Sequence, residues 1–290
     1  MTLSGLHQKY LRYCEVERRM SPQTVVAYRS DFRQFTEALG DQARWGLASQ
    51  DRLETLSAEN VRAFQYAMAQ AEYGWATIQR RLVALNRFAC WLVKRGYVSS
   101  NPLVDVERPK KERRLPETLP WDEVIRAVLG ERRSLQRAIL SLLGFAGLRR
   151  GEVVGLRIGD YDSKATTLHV RGKGNKDRVV ALPRLAREPL DEYLATRRET
   201  SVEAPLFVTA YGRPIASNVV TRAARRAGTR IGRRVHPHMF RHSYATELHD
   251  RGADIRDIRD LLGHESVSAT EIYTHVSTAR QKKVVSLLEK

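Results

Sequence analysis

Apolar residues recur at helical spacing through the first third of the chain. The pair Ser-Pro at positions 21–22 is typical of a helix start, and the apolar positions after it are three or four residues apart: Val25, Tyr28, Phe32 and Phe35. Similar patterns predict helices at about Ala58–Ala71 and Ile78–Arg95, the second ending at Gly96. We predict a bundle of about four helices, because no comparable strand pattern precedes residue 100.

The helix predicted at Ile78–Arg95 has two contrasting faces. Its apolar positions fall on one face and predict core contacts: Leu82, Leu85, Phe88, Ala89 and Leu92. Its basic residues are expected on exposed faces: Arg80, Arg81, Arg87, Lys94 and Arg95. Solvation alone explains such charges more often than contact with DNA does.

Periodicity stops after Asn101-Pro102. The stretch ERPKKERRLP at 107–116 is rich in proline and charge, which is typical of an extended linker. We therefore predict a helical domain at residues 1–107, a basic linker at 108–118 and a second domain at 119–290. The basic linker either stays extended through its own charge or lies along a phosphate backbone.

The second domain mixes helices with a β-hairpin. Alternating residues predict strands at Thr166–Val170 and Asp177–Leu182, joined by the glycine-containing turn RGKGNK. Helical periodicity and capping residues predict seven further segments: Trp121–Leu129, Ser134–Phe145 (ended by Gly147), Leu185–Arg198, Ala216–Gly228, Met239–Arg251, Asp254–Leu262 and Ser277–Leu288. The predicted fold is mainly α, of the α+β class, with one small antiparallel sheet.

Charge changes this picture from a generic helical protein to a candidate nucleic-acid binder. The 290 residues carry 50 Lys and Arg against 33 Asp and Glu, a formal charge of +17. Such a field attracts polyanions, and nucleic acid is the first partner to consider. A membrane surface competes, but the chain has no spanning apolar run and no signal-peptide core, so we expect a cytoplasmic, soluble protein and no membrane partner. Cys14 and Cys90 are expected to be reduced thiols in or near the core.

The densest basic run lies at residues 221–234, TRAARRAGTRIGRR, which contains six arginines and no acid. Guanidinium groups bind phosphate oxygens through two parallel hydrogen bonds, so this run suits a nucleic-acid backbone. A merely solvated basic face is the alternative.

Metal and nucleotide chemistry are both disfavoured by the residues. His238 and His242 have the spacing of an HExxH zinc site, but Met239 stands where the glutamate is needed and Arg241 places a cation beside the second histidine. Nucleases and transposases that depend on Mg²⁺ need clustered carboxylates to hold the ions. The nearby acids are instead isolated from one another along the chain: Glu152, Asp177 and Glu247. The turn RGKGNK lacks the frame of a P-loop, so we expect neither a metal nor any other cofactor.

Five segments considered together carry a family resemblance. They read AGLRRGE at 146–152, GKG at 172–174, PHMFRHSYAT at 237–246, LGH at 262–264, and the tyrosine at 273. In this order and spacing, over nearly the whole length, the chain resembles the tyrosine recombinases, most closely the bacterial Xer-type enzymes. Ala146 and Gly151 depart from the residues frequent there, which affects subfamily placement rather than activity.

The resemblance implies a catalytic set of six residues: Arg149, Lys173, His238, Arg241, His264 and Tyr273. It also implies that Glu152 supports the site from behind. The chemistry suits these residue types. A tyrosine can keep the energy of a broken phosphodiester in a 3′-phosphotyrosyl bond, without ATP or metal. In that reaction, two arginines would stabilise the phosphate charge of the transition state and Lys173 would protonate the leaving 5′-oxygen. His238 would accept the tyrosine proton, and His264 would bind a phosphate oxygen.

The resemblance also implies architecture and partners. Residues 1–107 would form a four-helix SAM-like DNA-binding domain, and residues 119–290 the catalytic domain with a tail helix that docks on a neighbouring protomer or packs on its own domain. The expected partner is double-stranded DNA with an inverted-repeat core site, bound by a homo- or hetero-tetramer near the nucleoid, with a partner recombinase or accessory protein. The task would be resolution of chromosome, plasmid or transposon dimers, or integration of mobile DNA.

Two alternatives stay open at this point. A non-catalytic DNA-binding regulator accounts for the charge but not for the five segments together. A type IB topoisomerase uses related tyrosine chemistry, and site-independent relaxation of supercoils would distinguish it.

Overall fold

The structure is a computed structural model that describes residues 2–40, 51–107, 117–172, 177–263 and 278–289. Within these ranges, the side chains of residues 39, 40, 278–281 and 289 are also outside the description. Most of the linker predicted at 108–118 lies outside the described residues. The chain divides into two compact units, Met1–Arg114 and Leu115–Lys290.

The first unit is a helical bundle, as the periodicity predicts. Its elements are α1 (Leu3–Arg12, continued by one π-helical turn, Tyr13–Glu17), α2 (Pro22–Gly40), a 3-10 turn (Leu53–Thr55), α3 (Ala58–Gln70) and α4 (Trp75–Lys94). Helix α1 has no counterpart among the predicted ranges. It begins at Thr2, whose hydroxyl accepts the Gly5 N–H, and Ser57 caps α3 in the same way through the Asn60 N–H.

Phe88 lies at the centre of the core of the first unit. Its ring packs edge-on against Phe32, with centroids 5.6 Å apart, and contacts the rings of His7, Tyr10 and Trp91. The apolar faces predicted for α2 and α4 are buried throughout: Val25, Tyr28, Phe32, Phe35, Leu82, Leu85, Phe88, Ala89 and Leu92. Burial of these faces against one another is what holds the bundle together.

Two expectations for this unit are wrong. Arg81 is buried rather than exposed, because its guanidinium reaches the fully buried carboxylate of Asp31 (Nε–Oδ1 3.9 Å) and lies over the ring of Tyr73. Arg80 pairs with the same carboxylate. Cys14 is buried as expected, but Cys90 is exposed.

The second unit surrounds a central helix. Its elements are α5 (Trp121–Leu129), α6 (Ser134–Phe145), α7 (Arg150–Gly155), β1 (Tyr161–Asp162), β2 (Thr167–Val170), β3 (Arg178–Ala181), α8 (Arg184–Ala195), α9 (Ser217–Arg230), α10 (Pro237–Asp250), α11 (Ile255–Leu262) and α12 (Thr278–Val285), which a 3-10 turn (Ser286–Glu289) follows. All residues of α6 from Ala138 to Phe145 are buried, and α5, α8, α9 and α10 pack around it. A helix that is apolar on all sides is suited to this position.

The predicted hairpin is present and has one additional strand. The sheet order is β1-β2-β3, all antiparallel, and Val170 pairs with Arg178 while Leu168 pairs with Val180. Strand β1 has only two residues, which is too short to produce a detectable alternation.

The C-terminal segment packs on its own unit in this structure. Val284, Val285 and Leu288 are buried in a cluster with Tyr244 and Leu261. Within this single chain, these three side chains lie against their own unit, and docking on a neighbouring protomer stays a prediction. Among the described residues, no helix is long and apolar enough to cross a bilayer.

Replacing Phe88 by alanine should strongly destabilise the first unit. We expect Phe88→Ala to lower its free energy of unfolding by about 3–5 kcal/mol, because a buried ring is removed from a tightly packed cluster. Urea denaturation of the full chain, followed by tryptophan fluorescence, measures this change. Tyr66 has 69% of its surface exposed, so Tyr66→Ala serves as control and should stay within about 0.5 kcal/mol of the wild type. Equal losses in both variants would contradict the assigned core.

Candidate active site

The turn after α6 positions Arg149. Gly147 has φ +63°, and the Leu148 N–H donates to the Leu142 carbonyl at 3.1 Å, which ends α6 in a glycine-dependent turn. A Cβ atom at position 147 would lie 2.6 Å from Cδ1 of Tyr244. Glycine is therefore required both by the backbone conformation and by the close ring, and the turn delivers Arg149 to the start of α7.

Glu152 fixes the orientation of Arg149. One Glu152 oxygen accepts the backbone N–H of Arg149 at 2.8 Å, and the other accepts Nη1 of the Arg149 side chain at 2.9 Å. The Glu152 side chain is 7% exposed, whereas that of Arg149 is 37% exposed. The carboxylate thus holds Arg149 from behind, and part of the guanidinium stays open to solvent.

Arg178, at the start of β3, binds the same carboxylate from another side. Its Nη1 and Nη2 donate to the two oxygens of Glu152 at 2.8 and 2.9 Å, and its Nε donates to the Leu261 carbonyl at 3.1 Å. Sequence reasoning missed this residue. The alternation of the strand could have identified it, because Arg178 is two residues before buried Val180 and therefore lies on the same face of the strand. A charged residue at such a position needs a buried partner.

These contacts explain the ionisation of Glu152. Burial opposes the charged form, but the hydrogen bonds and charge of Arg178, together with the hydrogen bonds from Arg149, outweigh it and lower the Glu152 pKa to about 2. The carboxylate is therefore ionised throughout the neutral range.

Arg241 is the most buried arginine of the site. It lies on α10 with 4% of its surface exposed, and its Nη1 and Nη2 donate at 2.6 Å each to the carbonyls of Gly147 and Leu262. Burial, followed by the charge of Arg149, lowers the Arg241 pKa to about 9. The guanidinium consequently keeps its charge at neutral pH.

The C-terminal end of α11 brings the three arginines together. Three successive carbonyls each accept one guanidinium: that of Leu261 from Arg178, that of Leu262 from Arg241, and that of Gly263 from Arg149 at 3.0 Å. The last carbonyls of a helix lack partners within it and carry partial negative charge, so cations are stabilised there. We refer to Arg149, Arg178 and Arg241 as the arginine cluster.

Gly263 makes this approach possible. It ends α11 in the left-handed conformation with φ +63°. A Cβ atom at this position would lie 3.2 Å from Cδ of Arg178. The glycine of the LGH segment therefore permits both the helix end and the close passage of Arg178.

His238 lies one helical turn before Arg241 on α10, with an exposed side chain. Partial desolvation, followed by the charges of His236 and His242, lowers the pKa of His238 below its usual 6.5. The imidazole is neutral at pH 7, which is the form that accepts a proton.

The structure describes three of the six expected catalytic residues. It brings Arg149 and Arg241 to the same helix end and places His238 on the helix of Arg241. Lys173, His264 and Tyr273 lie outside the described residues. In the described part of the chain, no group of three or more His, Cys, Asp or Glu side chains is arranged to hold a metal ion.

The basic run at 221–234 divides into two groups. Arg230 and Arg233 are bound in ion pairs with Glu131 and Glu123, at 2.8 and 2.7 Å, which join α9 and the segment after it to α5 and the residues that follow α5. The remaining arginines are exposed: Arg222, Arg225, Arg226 and Arg234. Part of the run therefore has a structural role, and part faces solvent.

Two family models match most of this chain. Residues 124–280 match the model of the phage integrase family, and residues 8–96 match that of the phage integrase N-terminal SAM-like domain. The chain is 35% identical to the tyrosine recombinase XerC of Xylella fastidiosa strain 9a5c, with 97% of this chain and 96% of the relative covered. It is 32% identical to the XerC of Listeria welshimeri, with 97% of each chain covered.

Solved structures show the same fold. A lambda integrase (75–356) dimer bound to a COC′ core site aligns with a TM-score of 0.72 at 18% identity, with 96% of this chain and all of the other covered. A lambda integrase tetramer bound to a Holliday junction aligns with a TM-score of 0.71 at 18% identity, with coverages of 94% and 80%.

The lowered pKa of Glu152 makes a testable contribution to stability. Because the folded-state pKa is near 2 instead of the ordinary 4.5, the contribution is complete above about pH 5 and is lost as the pH falls towards 2. A lowering of this size corresponds to about 3 kcal/mol. We expect the unfolding free energy of the wild type to fall by about that amount more than that of Glu152→Gln over this window, measured by urea denaturation at several pH values.

The matched control is Glu188→Gln, since Glu188 is 59% exposed in its pair with Arg184. This variant should follow the wild-type pH dependence closely. Parallel curves for the wild type and Glu152→Gln would contradict the role assigned to the buried carboxylate.

Proposed function

The chain belongs to the phage integrase family and is a site-specific tyrosine recombinase, and from this premise we propose that it cuts and rejoins DNA through a 3′-phosphotyrosyl link at Tyr273. The observation that carries the proposal is the arginine cluster. Arg149 and Arg241 are bound to neighbouring carbonyls of one helix end, with Glu152 behind Arg149. Two fixed guanidiniums offer permanent charge for a phosphate whose transition state gathers negative charge.

The proposed reaction needs no external energy source. The Tyr273 oxygen attacks the scissile phosphorus, the bond to the 5′-oxygen breaks, and the energy stays in the new phosphotyrosyl bond. His238 accepts the tyrosine proton, Lys173 donates a proton to the leaving 5′-oxygen, and His264 binds a non-bridging oxygen. Attack by a 5′-hydroxyl of a second strand then releases Tyr273 and restores the phosphodiester. The lowered pKa of His238 supports its part as the proton acceptor.

We propose that double-stranded DNA with an inverted-repeat core site is the partner. Residues 1–107 form the core-DNA-binding domain, 108–118 the basic linker and 119–290 the catalytic domain. The exposed arginines of α9 support the proposed phosphate contacts, because they face solvent on a chain with a formal charge of +17. Helix α9 also lies close to Arg149, since its Thr221 hydroxyl accepts a hydrogen bond from Arg150, the residue next to Arg149. We further propose that the recombinase acts as a homo- or hetero-tetramer, with a partner recombinase or an accessory protein.

Removal of the Tyr273 hydroxyl should abolish covalent chemistry and leave binding intact. Tyr273→Phe first serves to select binding sequences from a random duplex pool. A selected duplex with a nick next to the cleavage position then traps the adduct, because the short leaving strand diffuses away. We expect the wild type to give a protein–DNA adduct on a denaturing gel, and Tyr273→Phe to give none at similar DNA affinity.

A persistent adduct in Tyr273→Phe would overturn the assignment of the nucleophile. Tyr211, which is 90% exposed, provides the matched control, and Tyr211→Phe should form the adduct normally. Relaxation of a supercoiled plasmid that contains no selected sequence would instead indicate a type IB topoisomerase. Binding without any adduct in the wild type would indicate a regulator.

The general acid is tested by changing the leaving group. Lys173→Ala should slow cleavage of the selected duplex by about 10²–10⁴-fold. A duplex with sulfur in place of the bridging 5′-oxygen releases a thiolate, which needs no proton because thiol pKa values lie near 8.5. On that duplex the variant should cleave nearly as fast as the wild type, as measured by single-turnover adduct formation.

His238→Ala is the comparison for this experiment. It should stay slow on both duplexes, because a better leaving group does not replace the acceptor of the tyrosine proton. If Lys173→Ala is equally impaired with the sulfur duplex, Lys173 is not the acid.

A further inference from the structure

Glu152 is shared between two arginines in an unequal way. Arg178 binds both of its oxygens through a two-pronged contact, at 2.8 and 2.9 Å. Arg149 uses only Nη1 on this carboxylate, at 2.9 Å, and directs Nη2 to the Gly263 carbonyl at 3.0 Å. The fork-to-fork geometry, which is the strongest arrangement of this ion pair, therefore belongs to Arg178 and not to Arg149.

This division of contacts decides how many N–H donors of Arg149 are available to bind a phosphate. A buried carboxylate with one arginine for a partner draws that arginine into a two-pronged pair, which spends two of its N–H groups and neutralises its charge. With Arg178 already in that position, Arg149 keeps donors that are not committed to Glu152. The exposures agree, since the side chain of Arg149 is 37% exposed and that of Arg178 is 13% exposed.

Arg178 also joins two parts of the site. It begins β3, five residues after Lys173, and its Nε binds the Leu261 carbonyl at the end of α11, which leads to His264. Gly263 leaves room for this passage, since a Cβ there would lie 3.2 Å from Cδ of Arg178. One side chain thus ties the strand to the helix end that holds Arg149 and Arg241.

We propose that Arg178 is a positioning residue for strand transfer, which occupies both oxygens of Glu152 so that Arg149 keeps N–H donors open towards the DNA phosphate. The proposal rests on the proposed function for its role in DNA cleavage. Arg178 itself does not touch the phosphate in this account, because three of its five N–H groups are bound to Glu152 and Leu261 and its side chain is only 13% exposed. It acts through Arg149.

The test uses inorganic phosphate, so that it does not depend on cleavage. In the full chain, the guanidinium N–H signal of Arg149 is assigned by its loss in Arg149→Lys and followed by NMR during a phosphate titration. We expect Arg178→Gln to weaken phosphate binding at this signal about tenfold, because Glu152 then takes Arg149 as its only partner. Glu152→Gln/Arg178→Gln removes that competing charge and should bind phosphate about threefold more tightly than Arg178→Gln.

The same variants are then compared on the selected nicked duplex. Arg178→Gln should lower the rate of adduct formation at saturating DNA about tenfold or more with little change in DNA affinity, and the double variant should be about threefold faster than Arg178→Gln. If Arg178→Gln merely lost folded protein, its active fraction would fall, and a second substitution at Glu152 would not raise the rate again.

Arg251→Gln is the matched control. Arg251 also binds one carboxylate, that of Glu247, and one backbone carbonyl, that of Leu287, outside the arginine cluster. Its titration should equal that of the wild type. An equal loss of phosphate binding in Arg251→Gln would trace the effect to general destabilisation and overturn the proposal.

Three further results would overturn the proposal. The first is an unchanged titration in Arg178→Gln, and the second is a double variant as weak as the single one. If Arg178→Gln does not fold, Arg178→Lys is titrated in its place. An ammonium cannot bind both oxygens in a fork, so Arg178→Lys should weaken phosphate binding about threefold. The third result that would overturn the proposal is an unchanged phosphate titration in Arg178→Lys. Absence of any adduct in the wild type would overturn the proposed function instead, while the phosphate titration still decides the role of Arg178.

Discussion

The binding of three guanidiniums by three successive carbonyls at the end of α11 is the interaction on which the site depends. Leu261, Leu262 and Gly263 accept from Arg178, Arg241 and Arg149 respectively. Like charges repel, so a cluster of this kind requires fixed acceptors and a counter-charge. The helix end supplies the acceptors, and the Glu152 carboxylate supplies the counter-charge. The result is a preorganised cationic surface that retains excess positive charge.

That excess has a chemical consequence. In the proposed transfer of a phosphoryl group, which uses no metal, the protein itself has to balance the charge that develops on the phosphate oxygens. A rigid arrangement does so without reorganisation during the reaction. Arg149 is held rigidly by one partner that is near along the chain and one that is far. Glu152 is three residues away, whereas Gly263 is 114 residues away. Only the folded second unit assembles them.

The sequence predicted much of this because local rules apply at many positions. Helical periodicity identified the buried faces of α2 and α4, and alternation identified the hairpin. The wrong expectations involve long side chains or faces at the margin of the core. Arg81 was expected in solvent, but a buried carboxylate 50 residues earlier, Asp31, draws it inwards. Cys90 belongs to an apolar pattern, yet its position on α4 faces solvent.

The sequence by itself determined the helical class, the hairpin, the family resemblance and the residue types that the proposed transfer through Tyr273 requires. It did so because periodicity and motif spacing are properties of neighbouring residues. Tertiary structure alone decided the burial of Arg241, the place of Arg178 beside Glu152 and the convergence of the arginine cluster on α11. These contacts join residues 21 to 114 positions apart, and no local pattern records which guanidinium reaches which carbonyl once the core has closed.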